Sequence, residues 1–425
     1  MEFKTVCVIG LGYIGLPTAS TFATSGLRVI GVDVNPTIID LLQNGHVHIY
    51  EPGLGQLVEK AIQTKNLTIS ANPVQADAFI IAVPTPFYGD KKADLSFVKS
   101  AAQTIVPFLQ KGNLVVLEST SPPLTTCDVL VPILELSGLT AGRDFSVAYS
   151  PERVLPGQIL RELIENARVI GGIDQASAEA GKDLYKTFVK GEIITTTATT
   201  AEMVKLMENT YRDVNIAIAN EFARLADRFG VDVWEAIQIA NLHPRVNILN
   251  PGPGVGGHCI SVDPWFLVEA APDITSLIYT SRVVNDEQPD FVVAKVKEIL
   301  GELPGKKIAA LGLSYKPDVD DLRESPAIEV VEKLCQAGAL VTAFEPFKIE
   351  YSMKHVTMAK NLEETIRDAD LIIMLVNHSQ FRRIDPFLIA EKTKARIIFD
   401  TVGGWNPEIW KNAGFATYRL GVSER

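Results

Sequence analysis

Cysteine and histidine are scarce in this chain, with four and six residues among 425. Cys7, Cys127, Cys259 and Cys335 lie far apart, and without paired spacing they argue against a disulfide framework or a zinc site. The histidines show no metal-ligand spacing, so no metal is expected. No apolar run reaches the roughly 18 residues that a membrane-spanning helix needs. The opening MEFKTVCVIG enters a strand with no basic leader or cleavage site, so a cytoplasmic location without membrane contact is expected. Positive charge is in deficit: 40 Lys and Arg face 51 Asp and Glu, for a net charge of −11. That balance argues against broad binding to nucleic acid or anionic membranes. Any phosphorylated ligand must find its cations locally. What remains is 47% apolar, the composition of globular domains, and the length allows two or three of them.

The amino-terminal residues read as a nucleotide fold. A short apolar strand, Thr5–Gly10, leads into a turn carrying Gly10, Gly12 and Gly15. Pro17 suits the first turn of a helix and Gly26 its exit. A second strand, Arg28–Asp33, ends in an acid. Strand, glycine turn, helix, strand and acid together form the dinucleotide fingerprint. The glycines admit a pyrophosphate to the helix N-terminus, and Asp33 accepts from ribose hydroxyls. An acid there repels a 2′-phosphate, so NAD is expected rather than NADP.

Strands follow at 67–70, 79–83, 114–119 and 147–150. In such folds the turns at their carboxyl ends face the ligand. Those turns contain Thr85 between two prolines, Thr120 after Glu118 and Ser119, and Glu152 beside Arg153. The two threonine turns read equally well as proline-stiffened loops with a capping hydroxyl, and Glu152 with Arg153 equally well as a rim ion pair or as a polar group aimed into the crevice. A long helix then runs from about Thr200 to Phe229, with Met203, Met207, Thr210, Val214, Ile218, Leu225 and Phe229 on one stripe. Around residues 216–219 it is apolar on nearly every side, which calls for a second partner surface. We expect it to join two domains and to pack against its copy in a homodimer. Lys205, Asn209 and Arg212 share one helical face, either as a solvated stripe or as a shared site.

Another helical stretch, about 273–300, reaches a boundary at Leu303-Pro304-Gly305. A fresh α/β region follows, with strands at 307–313, 340–344, 371–376 and 396–400 and no glycine fingerprint. Tyr315 and Lys316 lie in its first turn, with Arg323 just beyond. The expected class is α/β, with two Rossmann-like doubly wound domains joined by a long central helix. The expected division is a nucleotide-binding domain over 1–199, a helical dimerisation domain over 200–300 and a second Rossmann-like domain over 301–425.

The segment Pro251–Leu267, PGPGVGGHCISVDPWFL, carries the sharpest chemistry. Glycines strip side chains from the backbone just before Cys259, and a helix would bring Asp263 back beside that thiol. A thiol at the mouth of a helix is favoured as thiolate, whereas an inert core cysteine needs apolar neighbours. A thiolate, a lysine and NAD together suit oxidation of an alcohol past the aldehyde, through a hemithioacetal and a thioester that water cleaves.

The runs GLGYIGLP, VPTPF, EST, PERVLPG, RVIGG, AEMVKL, HPRVN, GVGGHCISVDPWF and DDLRESPA occur in this order over essentially the whole chain. It resembles the nucleotide-sugar 6-dehydrogenases of the UDP-glucose/GDP-mannose dehydrogenase superfamily. His258 and the VDPWF run resemble the members acting on N-acetylhexosamines. The resemblance implies oxidation of a UDP-N-acetylhexosamine at C6 for surface polysaccharide synthesis. UDP-N-acetyl-D-mannosamine is the leading substrate, and UDP-N-acetylglucosamine or UDP-glucose the alternatives. It further implies Cys259 as nucleophile, Lys205 as proton carrier or oxyanion partner, and Asn209 assisting. Asp263, Glu152 and Thr120 would order the hydrolytic water. Asp33, Thr85, Thr126 and the backbone at Tyr13 and Ile14 would hold NAD, with Arg323 on its phosphates. Arg153, Val154, Lys205, Asn209, Arg212, His243, Gly256, Tyr315 and Lys316 would hold the UDP-sugar, and Arg245 would reach the neighbouring subunit's substrate. Leu124 departs from the pattern, since relatives commonly have glycine in that loop. A β-hydroxyacid dehydrogenase would share the fingerprint and the helix but have no use for Cys259. An NAD-responsive binding protein would need neither Cys259 nor Lys205.

Overall fold

The computed structural model describes residues 2–87, 89, 91–155 and 157–423; Pro156 of the PERVLPG run lies outside the described residues. The first sheet contains β1 (Thr5–Ile9), β2 (Arg28–Val32), β3 (Leu67–Ser70), β4 (Ala78–Ile81), β5 (Leu114–Leu117), β6 (Ser146–Tyr149), β7 (Arg168–Gly172) and β8 (Ile193–Thr197). Their order is β3-β2-β1-β4-β5-β6-β7-β8, and only β7 against β6 is antiparallel. Alternation along β1 explains the layering: Val6 and Val8 enter one core, Cys7 and Ile9 the opposite one. Both faces are covered, so β4 and β5 are apolar throughout.

The second sheet contains β9 (Lys307–Leu311), β10 (Leu340–Phe344), β11 (Thr357–Met358), β12 (Leu371–Met374), β13 (Ile397–Asp400) and β14 (Ala416–Arg419). Its order, β11-β10-β9-β12-β13-β14, repeats that of the first six strands, with all pairings parallel. The chain therefore has two Rossmann-like doubly wound sheets with a long helix, Ala198–Phe229, between them in sequence. Contacts gather it into two compact units, residues 1–208 with 265–272, and residues 209–264 with 273–425. The long helix begins in the first unit and ends in the second. Ala217, Ala219, Ala223 and Ala226 of this helix are buried, whereas Tyr211, Ile218, Phe222, Leu225 and Phe229 are exposed. Among the described residues, no helix is long and apolar enough to cross a membrane.

The second half keeps one glycine of the first. Gly10 and Gly312 follow β1 and β9 with φ of +93° and +90°, and a Cβ on either would lie 2.5 Å from an atom of the residue after β4 or shortly after β12, Ala82 O or Val376 Cβ. The acids at the ends of β2 and β10 differ. Asp33 is half-buried and accepts from the N–H groups of Leu11 and Asn35 at 3.0 and 2.9 Å. Glu345 is buried and accepts from the N–H groups of Leu313, Ser314 and Phe347 at 2.7, 2.9 and 3.0 Å, with His378 Nε2 at 3.2 Å.

One local reading changes, and strands are added to those expected. The expected helix over 273–300 is two, Ser276–Asp286 and Gln288–Leu300; Pro289 lacks an N–H and restricts the residue before it. RVIGG is a strand despite its glycine pair. A Cβ at Gly171 would lie 2.4 Å from Thr197 O, and one at Gly172 2.3 Å from Ala178 N, so the glycines admit close helix packing. β14 escapes notice because it is short and mostly half-exposed.

The loop after β5 turns at Leu124, whose φ of 73° and ψ of −2° are left-handed. A π-helical turn, Thr125–Leu130, follows. Glu202 of the long helix holds this turn, accepting from Leu124 N–H at 2.7 Å and from Thr126 N–H and hydroxyl at 2.8 and 2.6 Å. A left-handed conformation costs a leucine about 1–2 kcal/mol, while its side chain, 48% exposed, has little packing to lose. Glycine removes that strain but adds about 0.5–1 kcal/mol of chain entropy. Leu124→Gly should therefore raise stability in denaturant titration by about 0.5–1 kcal/mol, and Leu124→Ala should give no gain.

Candidate active site

In the first unit the glycine turn is shaped by contacts that exclude side chains. A Cβ at Gly15 would lie 1.8 Å from Gly10 O, whereas one at Gly12 would meet nothing within 4 Å. The turn is tight on its own side and open at Gly12, just before the helix Gly15–Thr24, and this cradle fits a dinucleotide's pyrophosphate. Asp33 stands at the turn, bonded to Leu11 N–H with lone pairs to spare. Tyr13, Ile14 and Thr85 are half-buried. Thr126 is fully buried, and its hydroxyl donates to Glu202 at 2.6 Å.

The ends of β5 and β6 carry a buried charge network. Arg168 Nη2 lies 2.8 Å from Glu118 Oε1 and 3.8 Å from Glu152 Oε2, and its Nε donates to Ser150 Oγ at 2.9 Å. Its guanidinium lies over the Tyr185 ring at 4.1 Å. The Tyr185 hydroxyl donates to Glu118 Oε1 at 2.5 Å, and the Thr18 hydroxyl to Glu118 Oε2 at 3.4 Å. Burial pushes the Glu118 carboxyl up to about 7, Arg168 opposes this, and Glu152 adds to it. Glu152 Oε1 accepts from Arg153 N–H at 2.6 Å, and its buried Oε2 has no hydrogen-bond partner. The Arg153 guanidinium pairs with Glu208 at 2.6 Å. Thr120 and Val154 are half-buried nearby in sequence. Lys205 is buried, yet among the described residues no carboxylate pairs with it.

In the second unit the thiol segment is gripped from several sides. Val262 and Asp263 donate their N–H groups to Cys259 O at 3.0 and 2.8 Å, so the chain already turns helically before the helix Asp263–Ala270. Asn209 Nδ2 donates to Asp263 Oδ2 at 2.6 Å. Asn215 accepts from Leu249 N–H and donates to Asn247 O, at 3.0 and 2.9 Å. Asn220 accepts from Gly252 N–H at 2.9 Å. Gly257 N–H donates to Arg323 O at 3.2 Å. A Cβ at Gly256 would lie 2.3 Å from Glu324 O, and one at Gly257 2.7 Å from the Tyr315 ring. The glycine pair thus exists for close approach of Tyr315 and the 323–326 backbone.

Cys259 itself is half-buried. The other thiols are held neutral: burial raises Cys7 to about 11 and raises Cys127 and Cys335 as well. Lys316 Nζ lies 5.8 Å from the Tyr315 ring centroid, and Arg323 pairs with Asp321 at 2.7 Å. Arg212, His243 and Arg245 are exposed.

The structure brings together Asn209 with Asp263, Asp263 with the Cys259 backbone, Gly256 with Tyr315, and Glu152 with Arg153. Glu118, Arg168, Tyr185, Glu202, Asn215 and Asn220 carry structure that sequence reading missed. Glu118 and Arg168 stand inside the EST and RVIGG runs, but charge at a strand end does not announce burial.

Three successive segments match the UDP-glucose/GDP-mannose dehydrogenase family: its NAD binding domain over residues 4–189, its central domain over 199–287 and its UDP binding domain over 309–407. The chain belongs to that family. A relative from Methanococcus maripaludis, named UDP-N-acetyl-D-mannosamine dehydrogenase, is 49% identical over 99% of this chain and 97% of its own. One from Ralstonia nicotianae, named NDP-N-acetyl-D-galactosaminuronic acid dehydrogenase, is 47% identical over 96% and 97%. The solved structure of a UDP-D-ManNAc dehydrogenase from Pyrococcus horikoshii superposes with a TM-score of 0.92 at 40% identity, covering 98% of this chain and 99% of that one. Membership makes the chain an NAD-dependent dehydrogenase, and the open turn before Asp33 belongs to the family's NAD binding domain.

Because Glu118 binds its proton more tightly when folded than the ordinary value of 4.5, its contribution to stability is full below about pH 4.5. It falls by about 3 kcal/mol as pH rises to 7 and is flat above. Urea titrations at pH 5 and pH 8 should show Glu118→Gln gaining about that much relative to the parent at the higher pH.

Proposed function

We propose that the chain oxidises C6 of UDP-N-acetyl-D-mannosamine to give UDP-N-acetyl-D-mannosaminuronate for surface polysaccharide synthesis, in the cytoplasm, through a thioester on Cys259. The observation that carries this is the Asn209–Asp263 bond of 2.6 Å. It joins a residue one turn beyond Lys205 to the acid one turn beyond Cys259, so residues chosen for one reaction converge from two distant segments.

NAD, when bound, would supply the hydride acceptor for the two oxidations, one NAD for each. Lys205, buried and with no partner carboxylate among the described residues, acts as the amine that takes up the C6 hydroxyl proton, and as the ammonium so formed it steadies the oxygen's developing charge. Cys259 attacks the aldehyde carbon, which holds the half-oxidised sugar on the protein. Glu152, Thr120 and Asp263 order the water that attacks the thioester, and Asn209 fixes Asp263. The C–S bond breaks, the thiolate returns to Cys259, and the water's proton passes to a carboxylate. Asp33, Gly10, Gly12, Gly15, Tyr13, Ile14 and Thr85 hold NAD, as do Arg323 and, once freed from Glu202, Thr126. Arg153, Val154, Arg212, His243, Gly256, Tyr315 and Lys316 hold the UDP-sugar.

The exposed stripe from Tyr211 to Phe229, opposite the buried alanines, supports a homodimer in which Arg245 serves the neighbour's substrate. Sedimentation should give a dimer, and Phe222→Asp a monomer. Mixing Cys259→Ser with Arg245→Ala, each inactive alone, should recover about a quarter of parental activity, because half the dimers are mixed and each mixed dimer has one complete site.

Product counting on a panel of UDP- and GDP-sugars tests the main reading. Two NADH per UDP-N-acetyl-D-mannosamine are expected, and Cys259→Ser should lose at least about 10³-fold in complete turnover. One NADH per sugar, or full turnover by the serine variant, would refute it. Faster turnover of another N-acetylhexosamine would move the substrate and leave the chemistry standing.

A further inference from the structure

We propose that Glu118 and Arg168 are positioning residues for Glu152, with one guanidinium shared between two carboxylates so that its hold on Glu152 follows the charge of Glu118. This rests on the hydrolytic role given to Glu152 above. Arg168 is buried and spans both acids, at 2.8 Å from Glu118 and 3.8 Å from Glu152. The longer distance is too great for a direct hydrogen bond, and the Glu152 oxygen facing Arg168 is buried without a hydrogen-bond partner. The network is therefore closed around Glu118 and open at Glu152.

Among the described residues, the charged and hydrogen-bonding groups that face Glu118 are Arg168 from β7, Glu152 from beyond β6, Tyr185 from the helix Gln175–Tyr185, and the Thr18 hydroxyl from the helix after the glycine turn. Burial, with the Glu118 charge next, pushes the Tyr185 phenol well above its ordinary value, so it remains a donor. Glu118 is pushed up to about 7, chiefly by burial, and changes charge near neutrality. When Glu118 is neutral, Arg168 is released to Glu152 and ties up its lone pairs. When Glu118 is ionised, it holds Arg168, and Glu152 is left to accept the proton of the attacking water. Hydrolysis should therefore accelerate as Glu118 ionises, while hydride transfer, which needs neither group, should not.

The test uses the full-length enzyme with NAD and UDP-N-acetyl-D-mannosamine. Adduct mass at Cys259 is followed after rapid quenching between about pH 6 and 9, with the first NADH read in parallel. The parent's adduct decay should rise about tenfold across the Glu118 titration. Glu118→Gln should hold decay at the low-pH level with that rise gone. Tyr185→Phe removes a donor from ionised Glu118 and should move the rise about one unit towards alkaline pH. The first NADH should change less than about twofold in either variant. If Glu118→Gln fails to fold, the direction of the Tyr185→Phe shift decides. A parental pH profile retained in either variant, or an acid shift with Tyr185→Phe, would overturn the proposal alone. An adduct absent from the parent enzyme would instead remove the thioester reading, and this one with it.

Discussion

Hydrogen bonds from asparagines of the long helix hold the segment that carries Cys259, and the chemistry proposed for that thiol depends on them. A backbone rich in glycine has little shape of its own. Asn220 fixes its start at Gly252, Asn215 the approach at residues 247–249, and Asn209 its far end at Asp263. Asn220 is itself bonded to Asn285, and Asn285 to Asp213, which pairs with buried Arg282. The thiol is thus referred to a helix rather than to a loop, and sites built on helices keep geometry better.

Buried ion pairs rarely stabilise a fold, because desolvation can exceed the attraction gained. Glu118 with Arg168, and Asp213 with Arg282, are therefore hard to explain as devices for stability. The first lies next to Glu152, and the second reaches the thiol segment through Asn285 and Asn220. In the first unit the Arg168 guanidinium, from the start of β7, meets Glu118 after β5, Ser150 after β6 and Tyr185 at the end of a helix, and so ties four elements together.

Much of the fold was legible because its signals are local. The short apolar run of β1, the turn at Gly10, Gly12 and Gly15, and the acid at Asp33 each declare themselves within a few residues, as does the thiol segment. What stayed hidden depends on partners distant in sequence. Gly171 and Gly172 weaken a strand by propensity, yet here they admit packing from residues 178 and 197. Glu202 sits in an amphipathic helix like any surface acid, until the loop at Leu124 folds onto it. Tyr315 gives no sign that it lies against Gly257. Thr126 was assigned to the cofactor from family likeness alone, and the chain engages its hydroxyl with Glu202.

The two sheets share strand order, a left-handed glycine after the first strand and an acid after the second, but not the state of that acid. Burial disfavours the Glu345 charge, yet His378 and three backbone N–H groups outweigh it and hold the carboxylate below its ordinary range. Glu345 Oε2 is filled by Leu313, Ser314 and His378 from within the chain, whereas each Asp33 oxygen accepts a single backbone N–H. A repeated architecture has in this way parted at one residue: the acid of the first copy keeps open acceptor positions, and an internal imidazole helps turn that of the second into a rivet.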